Sequence, residues 1–182
     1  MASSEREIVG SAYTMVQRGN SARVKLDAID RRILSDLQAE GRITNVELAK
    51  RAGISAPPCL RRVRALEDAG LIQGYHAELD GKALGFEVTV FASVGLDSQA
   101  ETDLVAFEER VAEWPMVRAC YMLAGEVDFM LKIVAHDWDE YQNFLTRELT
   151  SAPNVAHVKS SLAIRASKNL PGIPFDETED IP

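Results

Sequence analysis

Cysteine is scarce in this chain of 182 residues: only Cys59 and Cys120 occur. Their separation suits neither metal ligation nor a disulfide framework, so both read as small buried residues of a reducing compartment. No run of about 18 apolar residues is present, and no membrane span is expected. The first twenty residues carry Glu5, Arg6 and Glu7 and lack the apolar stretch of a secretory signal, which makes a cytoplasmic location the expectation. Glycine-rich phosphate loops are absent. The three histidines, His76, His136 and His157, are scattered without metal-ligand spacing, and none sits near a candidate Ser or Cys nucleophile. Neither a metal, nor a cofactor, nor an enzymatic activity is therefore expected. What is present is ordinary globular material, 46% apolar and 26% charged, long enough for one or two small domains.

The net charge of −8 at first argues against a polyanionic partner, but its distribution reverses that. Residues 23–64 hold ten Lys/Arg and five Asp/Glu, a balance of +5, whereas residues 65–182 hold eight against twenty-one, a balance of −13. A phosphate backbone responds to the surface it meets within about 8–10 Å, one Debye length. Such asymmetry predicts polyanion binding by the first half alone.

Between Leu26 and Gly74 the apolar pattern writes three short amphipathic helices with glycine-marked turns. The first runs from about Asp27, its N-cap, to Ala39, with Ile29, Ile33 and Leu37 as its stripe and Gly41 as its stop. Thr44-Asn45-Val46-Glu47 fits a capping box opening a second helix, which presents Val46, Leu48 and Ala49 and ends at Gly53. A third begins near Ser55–Pro57 and ends at about Ala69, with Gly70 beyond it. Pro57 and Pro58 fit only a first helical turn and leave that helix start poor in N–H donors, so contacts there fall to side chains such as Ser55. Leu60, Val63 and Leu66 define its expected buried side. Arg61 projects nearly opposite, with Arg62 and Arg64 flanking it.

A trihelical unit with a basic last helix is a standard way to place side chains in the DNA major groove. Arg61 and Arg62 are expected to reach base edges or nearby phosphates, Arg64 to be more peripheral, and Ser55 and Pro57 to lie at the groove. Arg42, Lys50 and Arg51 are candidates for phosphate contact, with plain solvation the equal alternative. Residues 71–79 read as a short hairpin or wing and 80–85 as a connector.

From Phe86 the period changes to two. Phe86, Val88, Val90, Ala92, Val94 and Leu96 share one face of a long strand. Ala100, Leu104, Phe107 and Val111 form a helical stripe ending at Trp114-Pro115. Strands follow at about 117–123 and 129–135 around a turn at Gly125. A helix carrying Trp138, Tyr141, Leu145 and Leu149 is stopped by Pro153, and a last strand spans roughly 155–164. The order β-α-β-β-α-β predicts a ferredoxin-like half-sandwich with both helices on one face, giving an α+β chain overall. Its open face still has Phe91, Met122 and Met130 to bury, so a second copy is expected to cover it. The organisation expected is an extension 1–25, a winged helix-turn-helix domain 26–79, a linker 80–85, a ferredoxin-like domain 86–166 and an acidic tail 167–182 extending from the core.

Three pieces in this order and spacing resemble the Lrp/AsnC family of bacterial and archaeal regulators. They are Leu26-Asp27-x-x-Asp30-x-x-Ile33-Leu34, the run SAPPCLRRVRALEDAGLIQG from Ser55 to Gly74, and Gly125-x-x-Asp128. The resemblance covers about Leu26 to Ser167. It implies a ligand-responsive, sequence-specific transcription regulator that binds double-stranded DNA through its first domain. The second domain would dimerise, assemble into octamers or similar rings, and bind an amino acid. In the family the Gly-x-x-Asp loop lies where dimers meet and holds the effector's α-amino and α-carboxylate ends. Carried over residue by residue, the effector positions are Met122, Gly125, Asp128, Trp138, Ser161, Leu162 and Ala163. Two departures bear on the effector's identity. Val127 stands where the family often has an aromatic residue, and Ser161 replaces a larger side chain of leucine-responsive members.

One rival shares the two-domain architecture. Sirohaem decarboxylases resemble it too, but call for functional histidines or basic residues around a tetrapyrrole pocket and need no basic recognition helix. The cluster Arg61, Arg62, Arg64 speaks against them. A second rival is an amino-acid-sensing or assembly module whose helix-turn-helix serves protein contacts; it would lack steep salt dependence in DNA binding.

Overall fold

The computed structural model describes residues 25–175, so residues 1–24 of the expected extension and the last seven residues lie outside the described residues. These residues divide into two compact units, a head of 25–78 joined by 168–175, and a body of 79–167.

The head holds α1 (Ala28–Ala39), α2 (Asn45–Arg51) and α3 (Ala56–Asp68). Asp27 caps α1 in a complete capping box: its carboxylate accepts from Asp30 N–H at 2.9 Å while Asp30 accepts from Asp27 N–H at 3.3 Å. Thr44 caps α2 through Glu47 N–H, but only this half of the expected box is made. The turn between α2 and α3 needs Gly53, whose φ of +70° is the left-handed conformation a Cβ would strain. Ile33, Leu48, Ala49, Cys59, Val63 and Leu66 form the buried core, ringed by Leu26, Ile29, Leu37, Ile54 and Ile72.

Three expectations for the head change. The buried stripe of α3 is Cys59, Val63 and Leu66, while Leu60 is exposed. A thiol is apolar enough to take the innermost position, and this choice turns the buried face by about 30°, roughly a third of one residue step. Val46 faces solvent and leaves the packing of α2 to Leu48 and Ala49. Residues 71–79 form no paired hairpin. The wing has no regular secondary structure and is held by Tyr75, whose hydroxyl donates to Glu67 on α3 at 2.9 Å.

The body holds β1 (Val88–Leu96), α4 (Glu101–Ala112), β2 (Val117–Met122), β3 (Phe129–Ala135), α5 (Trp138–Phe144) and β4 (Val155–Leu162). The strands make one antiparallel sheet in the order β2-β3-β1-β4, the ferredoxin-like arrangement. Alternation explains β1: Val90, Ala92 and Val94 are fully buried beneath the helices, whereas Phe91 is exposed on the other face. Phe107 of α4 packs on Phe129 with ring centroids 4.8 Å apart, and Trp114 meets Phe144 edge-on at 5.2 Å. After Phe144 the chain widens into one π-helical turn, Leu145–Leu149. Thr150 N–H closes it onto the Leu145 carbonyl five residues back. The wider turn lags behind α-helical rotation and brings Leu149 onto the core side with Tyr141, both at 0% exposure. Trp138, expected in that stripe, is exposed.

The tail departs from expectation as well. Instead of extending away, residues 168–175 belong to the head, where the Gln38 side-chain amide pairs with the backbone of Ile173.

Candidate nucleic-acid interface and effector loop

Ser55 occupies the N-cap of α3 in extended conformation, yet its hydroxyl caps nothing, which leaves it open to an external partner. Pro57 lies in the exposed first turn beside it. Further along, Arg61 and Arg64 point away from the Cys59, Val63 and Leu66 stripe, are exposed, and have no ion partner among the described residues. Arg42, in the loop between α1 and α2, is exposed and unpaired on the same terms. Lys50 makes one long contact to Glu47 at 4.0 Å.

Arg62 and Arg51 are placed otherwise. Arg62 turns back toward the start of α1, where its guanidinium donates to Asp27 at 2.8 Å and Asp30 at 2.7 Å. These carboxylates hold its proton more tightly than usual, Asp30 most of all, and the Asp27 carboxyl is held below its ordinary range by the capping N–H of Asp30 and by Arg62. The expectation that Arg62 accompanies Arg61 into the groove thus gives way to a bracket between α1 and α3. Arg51 likewise braces α2 against the end of α1, with Glu40 at 2.8 Å and Asp36 at 3.8 Å, and meets Glu47 of its own helix at 3.5 Å. Sequence reasoning counted the cations of the head without assigning partners to its acids. The signal was available in Asp27 and Asp30, two carboxylates in the first turn of a helix that a basic helix must pack against.

In the body, the turn after β2 leaves Gly125 in open space. Asp128 is buried beside it. Its carboxylate accepts from the Leu96 N–H and from the Gln99 side-chain amide, both at 2.7 Å, while its own N–H donates to Val94 C=O. Asp128 thus staples the end of β1 to the loop, and its two oxygens keep spare lone pairs for a further donor. Gln99 is a contributor that sequence reasoning missed, because nothing in a lone glutamine before a helix marks it.

The remaining candidates sit elsewhere. Ser161 and Leu162 lie on edge strand β4, opposite Phe91 and Val90, and Ala163 N–H donates to Thr89 C=O. Trp138 opens α5 and leans on Tyr141 at 5.2 Å, and the Tyr141 hydroxyl is hydrogen-bonded to Ser160. Met122, exposed at the end of β2, pairs with Phe129, which is opposite Val94. Four residues of β1 separate the level of Val94 from that of Val90, about 13 Å along the strand. One chain therefore carries the loop group (Met122, Gly125, Asp128) at one end of the sheet and the strand group (Trp138, Ser161, Leu162, Ala163) toward the other. Among the described residues, no cluster of His, Cys, Asp and Glu is arranged to hold a metal, and no helix is long and apolar enough to cross a membrane.

Comparison with known proteins gives both halves a family. The winged helix-turn-helix DNA-binding pattern matches residues 26–73, and the Lrp/AsnC ligand binding domain matches residues 89–173. A leucine-responsive regulatory protein of Rhizobium meliloti is 54% identical over 81% of this chain and 94% of its own length. The Bkd operon transcriptional regulator of Pseudomonas aeruginosa is 44% identical over 78% and 93%. Among solved structures, a transcriptional regulator of Neisseria meningitidis in complex with L-Met superposes with a TM-score of 0.77 at 35% identity, covering 82% of this chain and 96% of that one. A DNA-reading head and a ligand-binding body, each matched along nearly its whole length, place the chain in the Lrp/AsnC family of amino-acid-responsive transcription regulators.

Proposed function

We propose that this regulator reads DNA through the exposed face of α3, with Arg61 at base edges, Arg64 beside it and Ser55 and Pro57 bordering the groove. Arg42 and Lys50 hold flanking phosphates, and Arg51 and Arg62 keep the three helices in register. The observation that carries this reading is the exposed, unpartnered Arg61 opposite the buried stripe of α3. A bidentate arginine–guanine pair discriminates by about 1–3 kcal/mol. Arg61→Ala should therefore weaken binding to the preferred operator selectively, measured by fluorescence anisotropy against a scrambled duplex. Equal affinity of variant and parent for the operator would refute the assignment.

The effector is an amino acid whose ammonium lies against Asp128 and whose carboxylate meets the backbone at Gly125. A buried ammonium needs such a carboxylate neighbour. Because the loop and strand groups lie far apart on one sheet, the site is completed between copies. Exposed Phe91 and Tyr121 on the open face support pairing of two sheets into a dimer, and dimers meeting at the loop build octamers or similar rings. Met122, expected on that face as well, is instead paired with the core residue Phe129 and lies on the helix side. Effector binding there biases assembly, and with it the DNA-bound form, in the cytoplasm. Leucine and methionine head the screen, since relatives are named for one and solved with the other. A thermal-shift screen of all twenty amino acids should single out a stabilising ligand, and Asp128→Asn should abolish that shift. Asparagine keeps one acceptor for the Leu96 N–H, which makes it a cleaner test than alanine at a buried position.

A further inference from the structure

The carboxy-terminal segment is gripped by the head at one defined point. Gln38, in the last turn of α1, donates from Nε2 to the Ile173 carbonyl at 2.8 Å and accepts at Oε1 from the Ile173 N–H at 3.1 Å. The preceding residue is shaped for this approach. Gly172 has φ of +78°, and a Cβ there would stand 2.3 Å from Gln38 Oε1, so any side chain would push the amide off Ile173. Leu170 and Ile173 themselves stay largely exposed, which makes the grip polar, small and easily released. Directly after it the sequence carries four carboxylates in five residues, Asp176, Glu177, Glu179 and Asp180.

We propose that residues 170–175 anchor this acidic end on the head, where it competes with DNA phosphates for the head's free cations. Covalent reach allows it. Arg42 follows Gln38 by four residues, at most about 14 Å of chain, and the seven residues from Ile173 to Asp180 can span at most about 25 Å. An intramolecular anion at high effective concentration lowers apparent DNA affinity without blocking it. Its effect fades with added salt, which screens the tail and duplex contacts alike. The inference rests on DNA binding by the head and adds a built-in restraint on it.

The test uses full-length protein and a 30-base-pair duplex of mixed sequence, because non-specific binding reports the electrostatic contribution alone. Asp176→Asn, Glu177→Gln, Glu179→Gln and Asp180→Asn together should tighten binding about five- to tenfold at low salt and less than twofold at high salt. Neutralising Glu101, Glu109, Glu113 and Glu148 of the body, an equal charge change elsewhere, should have a much smaller effect. Gly172→Val and Gln38→Ala, which keep the acids and remove the anchor, should each recover at least half of the gain. Unchanged affinity of the neutralised tail, or an equal effect of the body substitutions, overturns the proposal. Failure of both anchor variants to tighten binding overturns it too, since the acids would then act unanchored. Failure of the parent and the neutralised chain alike to bind the duplex at any salt would instead refute the DNA-binding reading, and this inference with it.

Discussion

Successive residues of an α-helix are rotated by about 100°, and on α3 that rotation separates the roles of two adjacent arginines. Arg61 faces outward with nothing to hold it, while Arg62 is turned onto Asp27 and Asp30. Alanine at the two positions should therefore fail in different assays. Arg61→Ala should leave urea unfolding of the protein unchanged within about 0.5 kcal/mol while weakening operator binding. Arg62→Ala should cost about 1 kcal/mol of stability, the scale of a partly exposed ion-pair network, with operator affinity lost only as far as α3 loses its seat. Equal stability of both variants would show that the bracket does not hold α3. The cysteines make a second residue-scale case. Burial, with a smaller contribution from Glu108, pushes the Cys120 thiol up to about 12, and burial likewise raises Cys59. Since only the thiolate reacts, iodoacetamide at pH 8 should label neither position until the chain is unfolded, which mass spectrometry can follow against urea.

At the scale of elements, the start of α1 is where cap, bracket and pH meet. The folded state holds the Asp27 carboxyl below its ordinary 3.8, through the Asp30 N–H first and Arg62 next. A lowered carboxylate stabilises the head fully above its unfolded value and loses that contribution as pH falls through the folded one. The melting temperature of the parent should thus drop below about pH 4, and Asp27→Asn should flatten that drop. An identical acid profile in the variant would assign the loss to other groups. The same element shows what could be read from sequence. The Asp27 cap, the left-handed glycines Gly53 and Gly70 after α2 and α3, and the strand alternation were legible because each follows from local conformational cost or from period, whereas Gly41 after α1 has no positive φ. The limits of β3 were read without error, bounded as they are by a turn and a helix cap. Which of Cys59 and Leu60 goes innermost was not legible, since both are apolar and one residue apart. Nor was the π-helical turn, which answers to the sheet beneath it and not to local preference. The anchoring of the tail at Gln38 depends on residues 135 positions apart, and no local pattern records such a pair.

On the scale of the whole molecule, a cationic head and an anionic body share one chain, and this division should govern how DNA binding responds to salt. Arg42 and Arg64 have no ion partners among the described residues and Lys50 has only its long contact to Glu47, and two heads acting together would present six such cations to phosphates. Each phosphate neutralised contributes about −0.9 to the slope of log affinity against log salt. Six give a slope near −5, a loss of about three decades between 50 and 200 mM salt. Arg51 and Arg62, already paired with the head's own acids, should add almost nothing. Arg42→Ala, a change at one phosphate contact per head, should make the slope shallower by about two units in a paired protein and weaken all sequences alike. Arg51→Ala should leave the slope in place. The body contributes no cation to this count; its excess of carboxylates repels the duplex and leaves the heads as its points of contact. A slope near zero would leave the head as a protein-contact module, and a slope unmoved by Arg42→Ala would shift the phosphate contacts to cations outside the loop between α1 and α2.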